Sequence, residues 1–248
     1  MKIFKKLALV LLLSLTAAPC FADAQADFLA QMQKRYPKTV IKKVKPSPFQ
    51  GIYEVTMGKN VAYVDQSGRY FLFGNLFDMQ TQTDLTSAVQ DEANAVDFAS
   101  LPKQDALKFV VGNGKRQLAL FADPHCPYCV QFQQAMLAQK DYTLFVFMLP
   151  LDGLHPDASR VSQAIWCDAQ PEQAWLNALL HHDNILASKK SKSSEECRAL
   201  VTRNAALAEK LAITGTPIII GADGVRHEGA LAGVELESWL MQHGSGKP

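Results

Sequence analysis

Apolar positions change their period twice along this chain, and each change marks a new kind of element. Past the first two dozen residues, Phe28, Leu29 and Met32 recur at helical spacing between Ala26 and Tyr36, and Pro37 stops the run. From Thr39 to Met79 the pattern becomes short β-rich runs at Val40, Val44, Tyr53 to Val55, Val61 to Tyr63 and Tyr70 to Phe73. Pro46, Pro48, Gly51, Gly58 to Asn60 and Ser67-Gly68 separate them, which predicts a small antiparallel sheet with tight turns. One helix on so small a sheet makes a marginal core, so this region is expected to pair with a second copy or dock elsewhere.

From Asp84 to Leu101 strand character disappears. Leu85, Val89, Ala93, Val96 and Phe98 form a thin apolar stripe among Asp91, Glu92 and Asp97, with no Gly or Pro before Pro102. The stripe predicts a linker helix between two domains; a solvated loop is the plainer alternative. A second domain is expected from Lys103 onward. Gln117 to Phe121 reads as a buried strand, Cys126 to Gln139 as a helix and Tyr142 to Leu149 as a second strand, together a right-handed β-α-β unit. Helical patterns follow at Ala158–Cys167, Pro171–His181 and Glu195–Leu211. A hairpin, Pro217–Ile220 and Val225–Glu228 around Gly221-Ala222-Asp223-Gly224, and a helix over Val234–His243 close the chain. Ser188 to Ser194, rich in Lys and Ser, is expected to be an exposed loop.

The opening residues belong to a different pattern. Lys2, Lys5 and Lys6 form a positive head, Leu7 to Ala18 is apolar or small, and Ala22-Asp23-Ala24 offers a small-x-small cleavage site, which together predict a secretory signal over residues 1–24. Cleavage after Ala22, with Cys20 as the small residue, competes with cleavage after Ala24; Cys20 is expected to leave with the signal. The apolar stretch is shorter than the roughly 20 residues a membrane span needs. Removing Lys2, Lys5, Lys6 and Asp23 from 25 basic and 24 acidic side chains leaves 22 and 23. That balance argues against a nucleic-acid partner, which calls for a basic face.

Four cysteines remain after the signal, in two pairs of different character. Cys167 and Cys197 enclose a helical, Lys- and Ser-rich segment and read as a structural staple, although sequence alone leaves connectivity open. Closing such a loop stabilises by roughly 3–4 kcal/mol in the chain-entropy view. Cys126-Pro127-Tyr128-Cys129 sits at a strand-to-helix turn instead. There the first cysteine is expected to be exposed near the positive end of the helix dipole, which favours its thiolate and makes it a nucleophile. Cys129, one turn in, would be shielded and resolve the mixed disulfide. Pro127 presets the first helical turn, and Pro127 and Tyr128 together tune the thiolate and the reduction potential.

Each of these readings has a plainer competitor. A zinc half-site would want a second close pair, which Cys167 and Cys197 do not make, and Val130 excludes the haem pattern CxxCH, so no metal or cofactor is expected. Thr216-Pro217, in front of an apolar strand, is expected to hold a cis bond that turns the Thr216 backbone outward to pair with a substrate strand; an ordinary trans proline is the alternative. His125 is assigned a supporting role beside the thiolate, and Asp123 a helix cap or a proton relay. His181-His182 reads as a solvated helix end, and Trp166 and Trp175 as packing residues.

Taken together, the signal, the small sheet, the linker helix, Phe121-Ala-Asp-Pro-His-Cys-Pro-Tyr-Cys129, Ala164-Ile-Trp-Cys167 and Gly215-Thr-Pro217 resemble the periplasmic disulfide isomerases of the DsbC and DsbG family. The resemblance covers essentially the whole chain after the signal. It implies an α+β and α/β architecture: a cystatin-like dimerisation domain over 25–83, a linker helix over 84–102, and a thioredoxin-like catalytic domain with a helical insertion over 103–248. It implies Cys126 as nucleophile, Cys129 as resolving thiol, Thr216-Pro217 as the substrate-facing loop, and a Cys167–Cys197 disulfide similar to that of DsbC. The Cys-Pro-Tyr-Cys tetrapeptide resembles that of DsbG, whereas DsbC has Gly in place of Pro127. Leu120 stands where thioredoxins keep a buried carboxylate, which leaves the proton acceptor for Cys129 unidentified. The implied partners are mis-oxidised exported proteins, a membrane reductase of the DsbD type and a second copy of the chain. A thiol oxidase, and a chaperone with secondary exchange activity, are the rival readings.

Overall fold

A computed structural model describes residues 20–181 and 192–246. Most of the signal segment, His182 and most of the Ser188–Ser194 stretch therefore lie outside the described residues. Two compact units divide between Ala93 and Asn94.

In the first unit, helix α1 (Cys20–Arg35) packs on a four-stranded antiparallel sheet of β1 (Ile41–Pro46), β2 (Ile52–Met57), β3 (Asn60–Asp65) and β4 (Phe71–Leu72), in that order. The helix begins earlier than its apolar spacing suggests. Phe28 and Met32 enter a small core with Ile41, Val44, Val55 and Val64, and Phe28 stacks on Tyr53. The Asp65 carboxylate organises the turn into β4 by accepting the N–H groups of Ser67, Arg69 and Tyr70. A two-stranded ribbon, β5 (Phe77–Asp78) with β6 (Thr83–Asp84), leads into α2 (Leu85–Asn94). There Thr86 is buried against the Tyr63 hydroxyl at 2.6 Å, and Glu92 pairs with Lys43 at 3.0 Å.

The expected linker helix over 84–102 is thus only ten residues long. Val96, Phe98 and Leu101, which had looked like its continuation, are buried in the core of the second unit. A 3₁₀ turn, Phe98–Ser100, capped by Asp97, presents them. The Val96 N–H bonds the Gly224 carbonyl at 2.9 Å, and Gly224 has φ +89° with the Val96 carbonyl where a Cβ would stand, so only glycine fits there.

The second unit is a five-stranded sheet in the order β11-β10-β8-β9-β7, numbered along the chain as β7 (Leu107–Val111), β8 (Arg116–Ala122), β9 (Tyr142–Met148), β10 (Ile218–Gly221) and β11 (Arg226–Glu228). β8 and β9 run parallel, joined by α3 (Pro127–Leu137), while β7 and β10 are antiparallel to their neighbours. The continuous apolar runs of β8 and β9 follow from burial on both faces. Leu118, Leu120, Leu144 and Val146 enter one core cluster, and Ala119, Phe121, Phe145 and Phe147 the other. The edge strand β7 was missed by sequence reasoning, because Val110 and Val111 face solvent and its alternation is weak.

The inserted helices are α4 (Ala158–Cys167), α5 (Pro171–Leu176), continued by a π-helical turn to His181, and α6 (Ser194–Lys210); α7 (Gly233–His243) closes the unit. A capping box of Ser193 and Glu196 starts α6. A disulfide between Cys167 and Cys197, Cα atoms 5.8 Å apart, ties α4 to α6. Trp175 is fully buried and its indole N–H bonds Gln133 at 3.0 Å; Trp166 is half-buried under the Lys192 ammonium; His181 is exposed. No helix among the described residues is long and apolar enough to cross a membrane.

Candidate active site

The parallel register of β8 and β9 ends at Ala122 and Met148, and β10 begins at Ile218 opposite Phe121. The chain leaving β8 and the chain entering β10 therefore meet at one end of the sheet. The first carries Cys126 to Cys129; the second carries Thr216-Pro217, whose peptide bond is cis. Pro127 occupies the first position of α3, where its missing N–H costs nothing, and Cys126 stands at the N-cap with extended backbone. Neither cysteine of this pair is in a disulfide.

Cys126 is not the exposed residue its position at the turn suggests. It is 5% exposed and Cys129 is wholly buried. The Thr216 segment closes over it, with Cys126 Sγ 3.5 Å from the Thr216 carbonyl oxygen. Pro127 and His125 are exposed, as is Tyr128 at 63%.

The two thiols are driven apart electrostatically. The Cys126 thiol is lowered from its ordinary 9.0 to about 5, chiefly because the Cys129 thiol donates to its sulfur. Burial opposes this, while the Cys129 and Tyr128 backbone N–H groups and the Thr216 side chain assist. Cys129 is pushed far up by the same hydrogen bond, then by burial and by the negative charge on Cys126. One sulfur is thus held as an anion at the start of a helix, and its neighbour holds the proton that stabilises it. The Thr216 hydroxyl is buried with no hydrogen-bond partner of its own, and its side chain acts to lower both thiols. Sequence reasoning had used only its backbone.

Asp123 does not cap α3. It is completely buried, and its carboxylate accepts the N–H of His125 at 2.7 Å and of Leu151 at 2.6 Å. Its backbone acts to lower the Cys129 thiol, against the larger effects that raise it. His155, from the loop after β9, has Nδ1 3.1 Å from Asp123 Oδ1. Nothing in the sequence pointed to His155, which stands 32 positions from Asp123 and is brought there by the β-α-β crossover. Among the described residues no cluster of three or more His, Cys, Asp or Glu is arranged to hold a metal ion.

Comparison with known proteins places both units. Residues 20–87 match the disulfide bond isomerase protein N-terminal domain, and residues 103–244 the thioredoxin-like domain. A probable thiol:disulfide interchange protein DsbC of Bordetella avium is 31% identical over 216 residues, covering 86% of this chain and 73% of its own length. The thiol:disulfide interchange protein DsbC of Escherichia coli is 25% identical over 227 residues, covering 89% and 90%. Among solved structures, a disulfide interchange protein from Neisseria gonorrhoeae superposes with a TM-score of 0.53 at 28% identity, over 58% of this chain and 99% of its own.

Proposed function

The chain belongs to the DsbC family of thiol:disulfide interchange proteins, enzymes that isomerise disulfides, and we propose that Cys126 is the residue through which it acts. The observation that carries this reading is the pair of opposed thiols, Cys126 lowered to about 5 and Cys129 raised, at the start of α3. The Cys126 thiolate attacks one sulfur of a non-native disulfide; that bond breaks, a substrate thiolate leaves, and a mixed disulfide remains. A second substrate thiolate then displaces Cys126, which returns as thiolate with no net oxidation. Alternatively Cys129 gives up its proton and attacks Cys126, the substrate leaves as a dithiol, and the protein is left with a Cys126–Cys129 disulfide. That outcome requires a reductant, in our reading a membrane reductase of the DsbD type. Thr216 and Pro217 line the substrate side, His125, Pro127 and Tyr128 flank the thiolate, and the Cys167–Cys197 disulfide has the structural role of holding α4 to α6.

The setting is the periplasm, reached through a cleaved segment ending at Ala22 or Ala24, and the substrates are mis-oxidised exported proteins. The region 25–83 serves as dimerisation domain and 103–248 as catalytic domain, whose core also takes in Val96, Phe98 and Leu101, so the connection is the stretch 84–95. The dimer reading draws on the first unit's exposed apolar side chains. Tyr70, Leu72, Phe73 and Phe77 are exposed in succession, and Tyr70 and Leu72 border a groove of about 380 Å³ with Phe49 and Ile52. The same surface favours binding of unfolded chains as a second reading.

Refolding of a scrambled multi-disulfide substrate such as ribonuclease, in a weak glutathione buffer, tests the proposal. The wild type should restore activity, Cys126→Ser should abolish the gain, and Cys129→Ser should accumulate a mixed disulfide with the substrate. Undiminished isomerisation by Cys126→Ser would refute the assignment. Suppression of aggregation of a cysteine-free client, without isomerisation by the wild type, would favour the binding reading. Thiol trapping in cells should find the pair mostly reduced; a mostly oxidised pair would make the protein an oxidase.

A further inference from the structure

A wholly buried carboxylate lies three residues before Cys126, and the exchange chemistry above makes no use of it. Two backbone N–H groups, those of His125 and Leu151, fix where Asp123 sits but bring no positive charge. A buried anion without a cation is costly. Among the described residues, His155 is the ionisable side chain at ion-pair distance, its Nδ1 3.1 Å from Asp123 Oδ1. That nitrogen makes no hydrogen bond. What joins the two groups is therefore charge, and the attraction exists when the imidazole carries its proton. The His155 ring also stands edge-on to His125, centroids 6.5 Å apart, and His125 adjoins Cys126.

We propose that His155 is a positioning residue for disulfide exchange: protonated, it neutralises the buried Asp123 carboxylate and so removes a negative charge from the surroundings of the Cys126 thiolate. The inference rests on the reading of Cys126 as nucleophile. An uncompensated anion beside the turn disfavours a second anion there, whereas a carboxylate paired with an imidazolium presents little net field. The neighbouring charges do not substitute for His155. His125 is exposed on the turn itself. Asp152, on the same loop as His155, is taken up by the backbone and hydroxyl of Ser159, and Asp157 pairs with Arg160 at the start of α4. Cys129 keeps its proton. Across the sheet, His227 and Glu228 of β11 are separated from β8 by β10.

Alkylation of the reduced, full-length protein by iodoacetamide, read at Cys126 by mass spectrometry between about pH 4 and pH 8, measures the thiol directly. His155→Gln should move the Cys126 titration upward by about half a unit and slow alkylation near pH 5 roughly twofold. His155→Lys, which restores a positive charge, should return the curve toward the wild type, a rescue that a purely structural role would not give. In an Asp123→Asn background His155→Gln should have little further effect; if that background does not fold, the comparison of Gln with Lys decides alone. Superimposed curves for wild type and His155→Gln would overturn the inference while leaving the functional reading intact, as would a Lys variant indistinguishable from Gln. A wild-type Cys126 that holds its proton to about pH 8 would overturn both.

Discussion

The two units of this chain solve the burial problem in opposite ways. The second covers both faces of its central strands, sending alternate residues of β8 and β9 into separate clusters, and closes its helical insertion with a disulfide. The first has one helix on one face of a short sheet, a core of seven buried side chains, and an exposed row that includes Tyr70, Leu72, Phe73, Phe77 and Met79. A unit of that size rarely stabilises itself generously. In the proposed function the difference separates two tasks: one unit holds two sulfurs at fixed geometry, the other offers surface.

The sharpest way to break this contrast is to damage the closed core. Trp175 is fully buried and also satisfies Gln133, which lies one turn beyond Cys129 on α3. Trp175→Ala should cost about 3–5 kcal/mol, from the cavity and from the orphaned amide. Chemical denaturation followed by the remaining tryptophans, all of which lie in the second unit, measures it. A loss below about 1 kcal/mol would show that this core yields as a surface does.

A smaller effect on folding, but a larger one on assembly, is expected from the exposed row. Leu72→Asp with Phe73→Asp adds charge where nothing is buried within the unit, so the fold should change by no more than about 0.5 kcal/mol. Sedimentation should nevertheless shift from dimer to monomer. A dimer that survives both substitutions would move the assembly surface elsewhere and remove the reason for the contrast.

How far the sequence could be read follows the same division. The apolar runs of β8, β9 and β10 and the turn at Cys126 were legible because burial on both faces leaves few polar interruptions. β7 was not, since an edge strand with Lys108 in its middle and Val110 facing solvent shows neither period clearly. The linker was overextended for a related reason. Val96 and Phe98 continue a helical stripe on paper, but they are anchors in another core, and the glycine that admits Val96 lies 128 positions later. The Asp123–His155 pair was illegible in the same way, being made by a loop that returns across the sheet end. At Cys126 the place of the pair at the strand-to-helix turn was legible and its burial was not, because the covering Thr216 segment is remote in sequence.

The smallest effect separates the units by pH. Cys126 is an acid whose folded value, about 5, lies below its ordinary 9.0, so the unfolded reduced chain binds a proton that the native state does not. Its contribution is complete above about pH 9 and is lost as pH falls toward 5; raised Cys129 acts against folding only where unfolded thiols ionise, near and above that upper limit. In the first unit Asp65 is lowered from 3.8 to about 2, chiefly by the Ser67 side chain, so what it contributes is present above pH 3.8 and is lost as pH falls toward 2. Between these windows the two units should part company. Tryptophan fluorescence, which reports the second unit, should show the melting temperature of the reduced protein relative to the oxidised one rising as pH increases from about 5 to about 8. Cys126→Ser, measured against the same oxidised wild type, should flatten that slope, and Asp65→Asn should leave it unchanged. A slope of the same size in Cys126→Ser would mean that another group in the second unit carries the linkage, and that the lowered thiol is not the feature distinguishing the two halves.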